Sequence, residues 1–187
     1  MIKEIETDRL VLRKLTLEDN QDLYEYTSDY EVSKYVSWEK QESLDDAINY
    51  IKSVIKQYAE AENPYVWAIE LKENHKMIGT IELSSLSKKH KRCELESDIN
   101  RDYWRKGYNT EALKAVINFC FTTLDLNKIQ TRCYAKNIGS YKVMEKVGMS
   151  HEGVQRQHLF MEGEFHDLFR YSILKDDFIS RLETKKN

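Results

Sequence analysis

The order of strand-like and helix-like segments is the feature that most limits what this chain can fold into. Strands are indicated where apolar and polar residues alternate, beginning at Arg9–Arg13, and helices where apolar residues recur at helical spacing. Along the chain these patterns predict the order β α α β β β α β α β β. Six glycines and one proline leave little turn punctuation for a many-stranded sandwich. We therefore predict one α/β domain built on a mixed sheet.

The predicted elements cover most of the chain. Strands are predicted at Arg9–Arg13, Tyr65–Leu71, Met77–Ser84, Arg92–Asn100, Lys128–Tyr134, Val154–Phe160 and Phe165–Leu174. Helices are predicted through Leu23–Tyr26, Leu44–Tyr58, Leu113–Leu124 and Ser140–Val147. Pro64 is interpreted as the end of the second helix. We expect residues 1–187 to form a single domain, with its core at about 7–176 and a frayed polar tail at Glu183–Asn187.

Charge and cysteine usage exclude several classes of protein. The chain has 29 basic and 32 acidic residues and a net charge of −3, so we expect neither a nucleic acid nor a membrane surface as partner. No apolar run is long enough to span a bilayer. Cys93, Cys120 and Cys133 match no metal-binding spacing, so we predict buried thiols and no metal site. Their odd number without a signal peptide predicts a cytoplasmic location.

The turn Trp104–Asn109, between a predicted strand and a predicted helix, is the clearest candidate for a ligand site. Gly107 allows the backbone to approach a ligand closely, and the next helix presents unpaired N–H groups at the positive end of its dipole. Arg105 and Lys106 add positive charge at the same place. This combination favours a phosphate or pyrophosphate ligand, although such a turn can also be purely structural. The Walker and dinucleotide-binding glycine patterns are absent.

A second candidate segment, Asn137–Ser140, opens the helix that follows about 30 residues later. Asn137 or Ser140 can act as the N-cap of that helix, which is a purely structural role. The functional alternative is that the Asn137 amide points at a ligand lying between the two helices.

Four segments in this order resemble the GNAT superfamily of acyl-CoA-dependent N-acetyltransferases. They are Glu6–Arg13 (ETDRLVLR), Asp102–Leu113 (DYWRKGYNTEAL), Asn137–Met149 (NIGSYKVMEKVGM) and Glu152–Tyr171 (EGVQRQ, GEFHD and a tyrosine). Within the superfamily the chain is similar to the RimJ/RimL branch of ribosomal-protein-alanine N-acetyltransferases. The resemblance covers nearly the whole chain and implies a single-domain GNAT-like fold, with a largely antiparallel central sheet flanked by helices.

The resemblance also implies acetyl-CoA as the co-substrate, without a metal. Backbone N–H groups from Arg105 to Thr110 are implied to hold the CoA pyrophosphate, and Ile99 and Asn137 to contact the pantetheine arm. The implied CoA-binding residues are Ile99, Arg105, Lys106, Gly107, Tyr108, Asn109, Thr110 and Asn137.

Three positions depart from the superfamily pattern. Trp104 stands where Arg or Gln is common, although RimJ/RimL-like proteins often have Trp there. Asn109 stands where Gly or Ala is usual, and a side chain there can crowd the phosphates. Met144 occupies the position of a tyrosine that protonates the leaving thiolate in many relatives. Ser140 is therefore our candidate for that general acid, with simple helix capping as the alternative.

The implied reaction is direct attack of an amine on the thioester in a ternary complex, and no cysteine lies in either motif for a covalent route. Glu94, Glu96 and Asp98 alternate along one face of the predicted strand before the turn. Glu96 is our candidate for the general base or for a residue that binds a cationic acceptor. The alternative is an ordinary solvated strand face.

The acceptor is predicted less sharply than the donor. Tyr35, Trp38 and His158 are candidates for acceptor binding, together with Tyr30 and His166, and packing or surface roles are the alternatives. The expected acceptor is a protein N-terminus or, alternatively, a polyamine, an amino-sugar antibiotic or another small amine. A CoA-binding module that has lost catalysis also fits the departures from the pattern. We expect a monomer or a homodimer.

Overall fold

The computed structural model describes residues 3–36, 38, 40–60 and 65–184. Its strands are β1 (Ile5–Glu6), β2 (Leu10–Arg13), β3 (Val66–Leu71), β4 (Met77–Ser87), β5 (Arg92–Ile99), β6 (Lys128–Tyr134), β7 (Ser150–Met161) and β8 (Glu164–Leu174). Its α-helices are α1 (Asn20–Thr27), α2 (Tyr30–Ser33), α3 (Leu44–Glu60), α4 (Tyr108–Thr122), α5 (Ile138–Val147) and α6 (Lys175–Thr184). Short 3-10 turns lie at Leu17–Asp19 and Arg101–Tyr103.

The backbone forms two compact units. The first consists of residues 1–84 and 96–116, the second of residues 85–95 and 117–187, and each contains part of β5. In the first unit the strand order is β1-β2-β3-β4-β5, with antiparallel pairing from β1 to β4. In the second unit the order is β5-β6-β8-β7, where β5 and β6 run parallel and the other pairs antiparallel. These pairings confirm the predicted α/β class and its mixed, mostly antiparallel sheet.

Helix α3 shows how the first unit acquires its core. Ser43 and Asp46 cap the helix reciprocally, because each side chain bonds the backbone N–H of the other, at 3.2 and 2.9 Å. Ala47, Ile51 and Val54 then recur at helical spacing and are fully buried. They join a cluster of apolar residues from the neighbouring helices and strands. Its other members are Leu15, Leu23, Tyr26, Val32, Val66, Ala68 and Met77.

Close approach of β4 to β5 depends on a glycine. A Cβ atom at Gly79 would overlap the carbonyl oxygen of Asp98 and lie 2.9 Å from the Cα of Ile99. The backbone N–H of Asn100 donates to the Ile78 carbonyl at 2.8 Å beside this point. A glycine inside a strand indicates either a bulge or a close backbone approach, and at Gly79 the structure shows a close approach to β5.

Two elements were not predicted from the sequence. Strand β1 has only two residues, which is too short for an alternating pattern to be recognised. Helix α6 follows β8 without a break, and none of its residues is fully buried, although Phe178 packs against the ring of Phe121. The predicted helix stop at Pro64 lies outside the described residues. Of the predicted frayed tail, Glu183 and Thr184 belong to α6 and the rest lies outside the described residues.

Candidate active site

The turn between β5 and α4 contains two residues in the left-handed region of backbone conformation. Arg105 and Gly107 have positive φ angles of 61° and 85°, so the chain reverses sharply before α4 begins at Tyr108. The indole nitrogen of Trp104 donates to the Ile99 carbonyl at 2.8 Å and ties the turn to the end of β5. Trp104, which departs from the superfamily pattern, therefore has a structural role in shaping this turn.

The start of α4 faces the same turn. The N–H of Glu111 donates to the Gly107 carbonyl at 3.0 Å, which is the first bond of the helix. The N–H groups before it have no acceptor within the helix, as at any α-helix N-terminus. Arg105 and Lys106 add positive charge beside these N–H groups, a combination suited to binding a diphosphate.

Asn109 is the second residue of α4. Its φ angle is not positive, although asparagine tolerates positive φ better than most residues. Its side-chain oxygen Oδ1 is buried and finds no hydrogen-bond donor among the described residues. A buried acceptor without a partner is costly. The predicted phosphate ligand supplies no donor for it, so Asn109 is the one feature here that fits the turn less well than Gly or Ala would.

The three carboxylates of β5 have different surroundings. Glu94 is buried and pairs with Arg132 of β6 at 3.2 Å, so the solvated-face interpretation is wrong for this residue. Glu96 is exposed and accepts a hydrogen bond of 2.6 Å from the Ser84 hydroxyl. Asp98 is partly buried and accepts a hydrogen bond of 3.1 Å from the indole nitrogen of Trp38.

Burial raises the pKa of Asp98 from 3.8 to about 6, and the neighbouring charge of Glu96 adds to the rise. The pKa of Glu82 on β4 is raised as well, first by burial and then by the charges of Glu96 and Asp98. The pKa of the Tyr50 phenol, on α3, is raised by burial and by the charges of Glu82 and Asp98. We call this group of residues the carboxylate patch of the first unit. Its members are Trp38, Tyr50, Glu82, Glu96 and Asp98.

Sequence reasoning missed Glu82 and Tyr50. The available signal was a single acidic residue, Glu82, between the apolar residues Ile81 and Leu83 of a predicted strand. An isolated charge in such a strand indicates a functional or paired side chain, since it interrupts burial. Tyr50 carries no such signal, because an aromatic residue on an amphipathic helix is ordinary.

Asn137 and Ser140 meet at the start of α5. The side-chain oxygen of Asn137 accepts from the backbone N–H of Ser140 at 3.0 Å, so Asn137 is the N-cap. Burial raises the pKa of the Cys133 thiol on β6 to about 11, and the neighbouring Ser140 hydroxyl opposes that rise. Capping by Asn137 is thus observed, while its contact with CoA and the acid role of Ser140 stay predictions.

The other candidates for acceptor binding have different surroundings in the structure. Trp38 belongs to the carboxylate patch. Tyr35 has the Lys34 ammonium 5.1 Å from its ring centre, and His158 is exposed on β7. His166 lies 3.3 Å from the Met161 carbonyl and packs against the ring of Tyr134.

The cysteines are free and buried, as the sequence predicted. Within the described ranges, no group of three or more His, Cys, Asp or Glu side chains is arranged to hold a metal ion. None of the helices in those ranges is long and apolar enough to cross a bilayer.

Comparison with known proteins agrees with this geometry. The Acetyltransferase (GNAT) domain family matches residues 9–150. The uncharacterized N-acetyltransferase YoaA of Bacillus subtilis is 34% identical over 94% of this chain and 98% of its own length. The crystal structure of a GNAT-family acetyltransferase from Bacillus anthracis superposes with a TM-score of 0.82 and 28% identity, over 93% of this chain and 99% of its own.

Two further relatives are named for different acceptors. A spermidine N(1)-acetyltransferase of Vibrio cholerae is 24% identical over 94% of this chain and 98% of its own length. The structure of a putative ribosomal-protein-serine acetyltransferase from Vibrio cholerae shares the fold, with a TM-score of 0.80 and 24% identity over 92% and 97% of the two chains. The family match and the relatives named as N-acetyltransferases lead to one conclusion: this chain belongs to the GNAT family of acetyl-CoA-dependent N-acetyltransferases.

Proposed function

We propose that this protein transfers the acetyl group of acetyl-CoA to a primary amine by direct attack in a ternary complex. The observation that supports this most strongly is the turn from β5 to α4. Three features of this turn favour anion binding beside the end of a sheet strand. They are the left-handed conformation of Arg105 and Gly107, the two basic side chains and the start of α4. Within this proposal, N–H groups from Arg105 to Thr110 hold the diphosphate of CoA.

The rest of the donor would extend from this turn. The backbone of Ile99, the last residue of β5, would continue strand-like pairing with the pantetheine arm, as the resemblance implies. Asn137 would contact the same arm through its amide while Oδ1 caps α5. Both assignments come from the resemblance, and the observed positions of these residues at element ends are compatible with them.

Proton handling needs an acceptor for the amine proton and a donor for the leaving thiolate. Glu96 is the candidate base from the sequence, and Asp98 is the stronger candidate after its surroundings are known. With a pKa of about 6, Asp98 is ionised at neutral pH yet basic enough to take a proton efficiently. Ser140 would protonate the thiolate through its hydroxyl, a role that rests on the resemblance and on its position at the start of α5.

The acceptor has two candidate classes. A protein N-terminus follows from the likeness to the RimJ/RimL branch. The carboxylate patch favours the second class, a small amine with more than one positive charge such as a polyamine, because Glu82, Glu96 and Asp98 can balance two ammonium groups. We propose a polycationic small amine as the preferred acceptor and retain the N-terminus as the competing candidate. We also propose that the protein is a monomer or a homodimer. We propose a cytoplasmic location because the three cysteines are free.

A panel of amines with a free-thiol readout tests this proposal. Spermidine, an aminoglycoside and peptides with free N-termini are each incubated with acetyl-CoA and the protein, and release of CoA thiol is followed. Turnover of spermidine above the peptides supports the preferred acceptor, whereas turnover of peptides alone supports the competing one. Calorimetry with acetyl-CoA is the companion measurement. Tight binding without turnover of any amine would instead support a CoA-binding module that has lost catalysis.

A further inference from the structure

Arg9 and Glu111 form an ion pair at the start of α4 although they are 102 residues apart. The guanidinium Nε of Arg9 donates to Glu111 Oε2 at 2.7 Å, and the Arg9 backbone N–H donates to Oε1 at 2.9 Å. The Thr7 hydroxyl donates to the same Oε1 at 2.6 Å. The carboxylate of Glu111 is thus held by three donors from the segment that leads into β2.

The same guanidinium reaches the turn before α4. Its Nη1 donates to the Lys106 carbonyl at 3.1 Å, and its carbon lies 4.3 Å above the ring of Tyr108. Its Nη2 lies 3.4 Å from the place that a Cβ atom on Gly107 would occupy. Arg9 therefore joins three successive residues of the turn, Lys106, Gly107 and Tyr108, to the carboxylate of Glu111. We call Thr7, Arg9 and Glu111 the turn clamp.

An anion site built from backbone needs its N–H groups directed inward and its carbonyl groups directed elsewhere. Arg9 engages the Lys106 carbonyl, which removes one negative dipole from competition with a bound phosphate. Gly107 adopts its positive φ without steric cost, but for Arg105 a positive φ is intrinsically costly and persists only where surrounding contacts impose it. The turn clamp supplies such contacts on both sides of Gly107.

We infer that Arg9 and Glu111, assisted by Thr7, are positioning residues for the diphosphate end of acetyl-CoA. They act by fixing the turn 105–108 in its anion-binding shape. The inference rests on the proposed function in one respect, namely that this turn binds the diphosphate.

Removing the charge of Glu111 tests the inference, because positioning and simple electrostatics predict opposite changes in CoA affinity. Its negative charge lies in the first turn of α4, near the proposed anion, so by charge alone its removal strengthens CoA binding. If Glu111 instead holds Arg9 and through it the turn, its removal weakens CoA binding. The variant Glu111→Gln therefore distinguishes positioning from simple electrostatics.

The experiment measures kcat, the KM for acetyl-CoA and the KM for the amine in Glu111→Gln, Arg9→Gln and Arg9→Lys, with calorimetric affinity for CoA beside them. We expect the KM for acetyl-CoA to rise about tenfold in Glu111→Gln and Arg9→Gln, the loss typical of one hydrogen bond to a charged group. The KM for the amine should stay unchanged. Arg9→Lys should recover only part of the loss, because an ammonium cannot bridge Glu111 and the Lys106 carbonyl as a guanidinium does.

Arg101→Gln is the matched control. Arg101 pairs with Asp29 at 2.9 Å, and its side chain is 52% exposed, close to the 46% of Arg9. Its loss removes a comparable surface ion pair of the same unit and should leave the KM for acetyl-CoA unchanged. Should Arg9→Gln fail to fold, Thr7→Val takes its place with a smaller rise in the same KM; it deletes the hydroxyl that donates to Glu111 and accepts from the Leu10 N–H.

The inference is overturned if Glu111→Gln binds CoA equally or more tightly, if Arg9→Lys restores the parent KM, or if both KM values rise together. Failure of the proposed function looks different. In that case the unaltered protein itself shows no calorimetric binding of CoA, before any variant is compared.

Discussion

Asp98 is the residue whose surroundings differ most from what its place in the sequence suggests. It alternates with Glu94 and Glu96 along β5, yet it accepts from the Trp38 indole and has a raised pKa, whereas Glu94 is in an ion pair. Alternation along a strand identifies which side chains share a face. It does not reveal what the neighbouring strand and helix place against each of them, and this is why Glu96 was favoured as base.

The substitution Asp98→Asn should separate catalysis from stability. It keeps an oxygen for the Trp38 indole but removes the proton acceptor, so we expect kcat to fall about 100-fold, within the range for a lost general base. The parent enzyme should lose activity as the pH falls below about 6, where Asp98 becomes protonated. Steady-state pH profiles of both proteins measure this. Glu96→Gln is the matched variant, and a greater loss of kcat there than in Asp98→Asn would restore Glu96 as the base.

Asp98→Asn should also stabilise the fold at neutral pH. Burial raises the pKa of Asp98 from 3.8 to about 6, so the folded state binds this proton more tightly than the unfolded state does. The stability that the proton contributes is fully present below about pH 4 and is lost as the pH rises through 6. Asn avoids the loss, with a gain of ~3 kcal/mol at pH 8 that disappears at pH 4. Urea unfolding at the two pH values tests the sign, and a variant less stable at pH 8 would contradict it.

Ser140 can be tested without disturbing the helix that it begins. The Asn137 side chain caps α5 through the backbone N–H of Ser140, so Ser140→Ala keeps the cap. We expect turnover to fall about tenfold or more, with CoA affinity and unfolding midpoint nearly unchanged. Asn137→Ala is the contrasting variant, since it removes the cap and costs ~1 kcal/mol of stability. Equal turnover in Ser140→Ala would leave that residue with no part in proton transfer.

The turn from β5 to α4 is the element on which the proposed donor site depends, and a second glycine in the chain offers a well matched comparison. Gly107 and Gly163 have φ angles of 85° and 81°, so an alanine is strained by a similar amount at either position. Gly163 turns the β7–β8 hairpin, and nothing lies within 4 Å of the place that a Cβ atom there would occupy. We expect Gly107→Ala to lose most calorimetric affinity for CoA and Gly163→Ala to retain it. Equal affinity in both would place the diphosphate elsewhere, and Gly107→Val should abolish binding altogether.

Periodicity predicted α3, α4 and the long strands because each has enough residues for its apolar pattern to repeat. It failed for β1, which has two residues, and for α6, none of whose residues is fully buried. The turn 104–109 was recognisable because its glycine, basic residues and helix start are consecutive. The ion pair between Arg9 and Glu111 was not, since no pattern in one sequence links residues 102 apart.

At the scale of the whole molecule, each unit places one part of the proposed chemistry. The first unit holds the β5–α4 turn, the turn clamp and the carboxylate patch. The second holds the capped start of α5 with Asn137 and Ser140. The family match over residues 9–150 includes all of these segments except Thr7 of the clamp. The motifs that predict the donor are contiguous in the sequence. The carboxylates of the proposed acceptor side lie on β4 and β5, so only the pairing of these strands reveals that they are neighbours.

Acceptor selectivity is the property that the whole arrangement should determine. If Glu82 and Asp98 balance the charges of the amine, the KM for spermidine should rise in Glu82→Gln while the KM for acetyl-CoA stays constant. A rise of about tenfold corresponds to the loss of one charged partner. Competition between spermidine and a neutral-chain monoamine measures the same preference, and loss of discrimination in the variant is the expected result.

The most direct test of the account is mass spectrometry of a polyamine after incubation with acetyl-CoA and the protein, with released CoA thiol measured in the same sample. We predict that spermidine gains one acetyl group and that an equal amount of thiol appears, with both signals lost in Gly107→Val. Bound acetyl-CoA with no acetylated amine of any class, or acetyl transfer that persists in Gly107→Val, would contradict it.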